Sequence, residues 1–136
     1  MLWLAMSAAF PQEAPSPRLL DRGDLSIADD ARQAVARTPE EWETLWRRHA
    51  PDRRPPAVDF SREMVVAVFL GSRPTAGFSV EVVSAAVAGT DGTMTVRYRV
   101  TRPARDAITA QIITSPYYIG AVPQHAGAVR FELVQP

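Results

Sequence analysis

The chain contains no cysteine, no lysine and only two histidines. Without cysteine there is no disulfide framework, no thiolate metal site and no cysteine nucleophile. There is no excess of either charge, with 15 basic and 15 acidic residues. Nucleic-acid binders concentrate basic charge on one face, so nucleic acid is not an expected partner. Every basic residue is arginine. Arginine suits bidentate carboxylate or phosphate contacts, though a compositional bias shared with the many Ala, Val and Pro residues explains it more simply. No stretch reaches the length of a membrane span.

Catalytic patterns are missing too. A Ser-His-Asp triad needs a histidine. His49 falls on the apolar stripe of a helix and His125 lies in a loop beside Pro123 and Gly127, and both read as structural. Gly77–Glu81 has a serine between glycine and glutamate but lacks the second glycine of a nucleophile elbow. Nothing marks out a carboxylate pair among Asp59, Glu63, Glu81 and Glu132. There is no His-x-His, calcium-loop spacing or glycine-rich phosphate cradle. The expectation is a protein that is not an enzyme, with no catalytic residue, metal or cofactor.

What is present is enough for one domain. The length is 136 residues, and 46% of them are apolar. Residues 1–10, Met-Leu-Trp-Leu-Ala-Met-Ser-Ala-Ala-Phe, form an apolar run ending in small residues. They resemble the second half of a secretory signal without its basic start. Residues 11–18 form a proline-rich linker, and 19–136 the folded domain. The expected location is therefore extracytoplasmic, periplasmic or secreted.

Two short strands are expected early, over Leu19–Ile27 with a turn at Gly23, and over Gln33–Arg37. Thr38-Pro39-Glu40-Glu41 is a capping box with proline at the first helical position. Trp42, Leu45, Trp46 and His49 then repeat at helical spacing until Pro51. Met64–Leu70 is an unbroken apolar run, the mark of a strand buried on both faces. Phe78–Ala88, a turn with an Asp91-Gly92 core, and the alternating Thr93–Val100 read as a hairpin. Further extended segments are expected over Ile108–Thr114, Tyr117–Val122 and Val129–Leu133. The fold class is mainly β (α+β): a compact, mostly antiparallel sandwich or open barrel of five to seven strands with one amphipathic helix.

Two loops carry the candidate binding residues. In Arg73-Pro74-Thr75-Ala76-Gly77-Phe78, Pro74 and Gly77 shape the backbone while Arg73, Thr75 and Phe78 offer contacts. Thr114-Ser115-Pro116-Tyr117-Tyr118 holds adjacent tyrosines that point oppositely in an extended chain, so one is expected in the core and the other exposed. An exposed tyrosine and arginine on a shaped loop suit a protein interface.

These segments also resemble a known family. Glu40–Trp46, Val58–Gly71, Arg73–Val82 and Thr114–Tyr118 are similar, in order, to the PrcB-type C-terminal domain of protease complex subunits. Ala76 stands where that family commonly has glycine, and Phe78 where it has tyrosine. The resemblance implies an accessory, non-catalytic domain whose partner is another exported protein, a protease. A lesser likeness ties Pro74–Phe78 to the inhibitory loop of chagasin-like peptidase inhibitors. That leaves an inhibitor acting through the Arg73–Phe78 loop as an alternative, and an enzyme of unrecognised class as another.

Overall fold

The computed structural model describes residues 15–87 and 90–134. The signal-like segment 1–10, residues 11–14 of the linker and Gly89 of the hairpin turn lie outside the described residues.

Among the described residues seven strands and one helix follow in the order β1 (Arg18–Gly23), β2 (Arg32–Ala36), α1 (Pro39–His49), β3 (Glu63–Phe69), β4 (Ser79–Val87), β5 (Met94–Thr101), β6 (Tyr117–Pro123) and β7 (Val129–Leu133). They form two sheets, of order β1-β6-β3-β2 and β4-β5-β7, so the fold is a sandwich and not a closed barrel. Pairing is antiparallel throughout except between β5 and β7, which run parallel.

The apolar run explains the layering. Met64, Val66, Val68 and Leu70 face the three-stranded sheet, where they meet Val80, Val82, Met94 and Val96. Val65, Ala67 and Phe69 face the other way, onto Trp42, Leu45 and Trp46 of α1. A strand covered on both faces can be apolar at every position, and β3 is so from Met64 to Phe69. Burying each large side chain contributes roughly 1.5–3 kcal/mol, so β3 and β6 anchor two cores at once.

The helix begins as its capping box requires. The Glu41 amide donates to Thr38 Oγ1 at 3.1 Å, and Glu41 Oε1 accepts from the Arg37 amide at 2.7 Å. The reciprocal bond falls one residue before the cap. At the other end the Ile27 amide donates to the His49 carbonyl at 3.1 Å, occupying a free helix-terminal acceptor.

Two expectations are corrected. Ile108–Thr114 forms no strand: residues 107–113 are a loop. Prolines at 103 and 116 remove donors near both ends, and the segment makes few backbone bonds, Ala76 N to Ala110 O among them. The two tyrosines do not divide into one buried and one exposed, since each is 6% exposed. They do point oppositely, but both faces of β6 are covered. Tyr118 enters the inter-sheet core, and Tyr117 the core beneath the helix.

Candidate partner-binding surface and a buried polar network

One end of the sandwich is built from three chain segments side by side. Leu25 bridges Ser115 in parallel, and Arg73 bridges Thr114 antiparallel. The Arg73 amide donates to the Thr114 carbonyl at 2.7 Å, and the Thr114 amide returns to Arg73 O at 2.9 Å. Thr114 Oγ1 also donates to Thr75 O at 3.0 Å. The loop from Arg73 to Phe78 is thus stitched along one flank.

Gly77 supports the expectation of a shaped backbone. Its φ is +98°, and a Cβ there would stand 2.9 Å from Pro103 Cβ. Both the left-handed conformation and the close approach call for glycine. Pro74 and Gly77 are exposed, whereas Arg73, Thr75 and Phe78 are half-buried. The Arg73 guanidinium lies over the Phe78 ring at 5.7 Å. Thr75 Oγ1 turns back to donate to the Ala76 carbonyl at 2.9 Å. Phe78 packs against the inter-sheet core. The structure therefore brings the five loop residues together, but it keeps Tyr117 and Tyr118 inside.

The exposed apolar side chains at this end lie elsewhere. Ile108 is 102% exposed, Ile113 73% and Ile112 54%, and on the adjoining segment Leu25 is 73% and Ile27 62% exposed. Large apolar residues gathered without cover mark interaction surfaces. Sequence reasoning missed them by placing Ile108–Thr114 in a strand. The available signal was the lack of any period of two, with Ile112 and Ile113 adjacent.

Below this end lies a polar network. His49 is 1% exposed. Its Nδ1 is 2.8 Å from Ser26 Oγ and its Nε2 is 2.9 Å from Asp21 Oδ2. Arg53 Nη2 donates to the same carboxylate oxygen at 2.8 Å. Ser26 Oγ also accepts from the Ala28 amide at 3.0 Å. An ionised carboxylate only accepts, so Nε2–H donates to Asp21, and in the neutral ring Nδ1 accepts from the Ser26 hydroxyl.

Electrostatics agree with a neutral ring. Burial pushes the His49 pKa below its ordinary value, against the pull of Asp21. Burial opposes the Asp21 charge, but hydrogen bonds from His49, Arg53 and Tyr117 outweigh it and hold the carboxyl below the usual range. The Tyr117 hydroxyl is pushed up to about 12, first by burial and then by Asp21. Ser26, His49 and Asp21 are the residue types of a hydrolytic triad, yet they are not placed to act as one. Ser26 is only 7% exposed, and the ring nitrogens are used in the reverse sense, with the carboxylate on Nε2. The network ties β1, the 24–28 segment and the end of α1 together.

His125 is half-buried, and its backbone carbonyl accepts from Arg37 Nε at 3.0 Å. Among the described residues no group of three His, Asp or Glu is placed to hold a metal ion, and no helix is long and apolar enough to cross a membrane.

Fold and surface together define a class: among the described residues, a two-sheet β domain with one helix and a loop, 107–113, that carries three uncovered isoleucines. Residues 64–123 match the model of the family described as PrcB C-terminal, the family that the sequence resembles. That segment is similar to PrcB-type domains, a family associated in general with protease complexes. It runs from β3 to β6 and contains both candidate loops. Neither a curated protein nor a solved structure matches the chain.

Proposed function

We propose that this chain is a non-catalytic, extracytoplasmic protein-binding domain that acts as an accessory subunit of a protease complex. The observation that carries the reading is the set of bare isoleucines, Ile108, Ile112 and Ile113, beside a loop whose backbone is fixed by Gly77 and Thr114. Apolar side chains left in water on a braced rim gain free energy when a partner covers them. The family match supports a protease complex as the setting. The signal-like start supports export.

The test pairs the full chain with a subtilisin-like protease exported by the same cell. Sedimentation should show a complex, and the chain alone should hydrolyse no peptide or ester substrate. The substitutions I108S, I112S and I113S together should abolish the complex without lowering the melting temperature. A complex that survives them, or hydrolysis by the chain itself, would overturn the proposal. Cell fractionation with a C-terminal epitope tag addresses location, and a purely cytosolic signal would refute export.

A further inference from the structure

The four-stranded sheet ends on β2. This strand pairs with β3 over its whole length and with no other strand among the described residues. Edge strands present unpaired backbone N–H and C=O groups, and natural edges are blunted by prolines, bulges or charges. The opposite edge, β1, carries an irregularity between Leu19 and Asp21. β2, Arg-Gln-Ala-Val-Ala, is regular and has no proline.

Depressions flank β2 on both sides. One, of ≈ 390 Å³, lies between β2 and α1 and is lined by Ala34, Val35 and Leu45 with charged residues around them. The other, of ≈ 430 Å³, reaches between the two sheets over Val68, Leu70 and Val100. In the second the lining charge has one sign. Arg32, Arg73 and Arg102 all line it, and no carboxylate does. Asp29 and Asp30, in the turn before β2, are exposed and stand outside the lining. Arg18, Arg47, Arg53, Arg97 and Arg99 each have an ion-pair partner, but among the described residues none of the three cleft arginines does. The Tyr98 hydroxyl accepts from Gln33 Nε2 at 3.1 Å, so its own hydrogen remains free to donate into the cleft.

We propose that an extended acidic segment of a partner protein adds to the free edge of β2 as a fifth strand, with its carboxylates on Arg32, Arg73 and Arg102. Side chains of an added strand alternate between the faces of the sheet. One set would enter the arginine cleft, and the other would lie against Ala34 and Leu45. The matching pattern is acidic residues alternating with small apolar ones. The inference rests on the protein-binding reading; Arg73 belongs to both surfaces, but none of the three isoleucines lines the cleft.

The probe is a fluorescent eight-residue peptide of alternating Glu and Val, with a Gln-Val peptide as control. Anisotropy with the full chain should show binding of the acidic peptide alone, weakened by added salt. Substituting Arg32→Gln, Arg73→Gln and Arg102→Gln together should reduce affinity about tenfold, while the melting temperature stays within a degree or two. Hydrogen exchange should slow at β2 amides when the peptide binds. The I108S/I112S/I113S variant should bind the peptide as the native chain does, which separates failure here from failure of the rim. Equal binding of both peptides, affinity unaffected by the arginine substitutions, or no protection of β2 would each overturn the proposal.

Discussion

His49 shows how one side chain can tie stability to pH. In the folded chain its neutral ring bonds Ser26 and Asp21, and burial lowers its pKa below the ordinary 6.5. Arg53 adds to that lowering, and Asp21 opposes it. The unfolded chain therefore takes up the proton first. The contribution to stability is complete above about pH 6.5 and declines as the pH falls from there towards the lower folded-state value. Asp21, held below its ordinary 3.8, adds a second loss only in more acid solution. Urea midpoints should be lower at pH 5.5 than at pH 7.5, and H49Q should flatten that difference. An equal slope in both proteins would show that His49 does not set it. A second residue-scale prediction concerns Gly77. G77A forces alanine to φ +98° against Pro103 and should cost about 1–3 kcal/mol. The Ala76 amide, bonded to Ala110, should then exchange faster.

The individual roles were unevenly legible. The burial of His49 could be read from its place on the helical stripe. Its partners could not, because Asp21 and Ser26 reach it from segments more than twenty residues away. The shaping role of Gly77 was visible in the loop composition. The burial of both tyrosines was not, since it depends on what covers each face of β6.

Among the elements, α1 was the most legible. Capping, periodicity and the stop at Pro51 are local signals, and the helix occupies Pro39–His49. T38A should therefore lower stability by about 1 kcal/mol, measured by denaturant unfolding, through loss of the bond to the Glu41 amide. The 107–113 segment misled for the opposite reason. Apolar content alone suggested a strand, but a strand needs a neighbour to take its backbone bonds. The fully exposed Ile108 makes a direct check: I108S should change stability by less than about 0.5 kcal/mol, because no burial is lost. A larger loss would mean that Ile108 packs against the domain.

For the whole molecule, the two cores share one sheet. Trp42 and Trp46 report on the helical side, and Tyr98 and Tyr118 on the inter-sheet side. Because β3 and β6 belong to both, neither side can lose its packing while the other keeps its own. Tryptophan fluorescence, and tyrosine near-ultraviolet dichroism in a Y117F variant that removes the tyrosine of the helical side, should follow one coincident unfolding transition. Two separated transitions would show that the layers melt independently. The sandwich class and the single helix followed from the change of period along the sequence. The strand order did not, since no local pattern records that β6 lies between β1 and β3, or that β7 runs parallel to β5.

That strand order also sets a timetable. β1, the earliest of the described strands, pairs among the described residues only with β6, which begins at Tyr117. β3 likewise lacks one of its two neighbours until β6 arrives. The four-stranded sheet cannot close until β6 has emerged, so it stays open while β1 through β5 are being made.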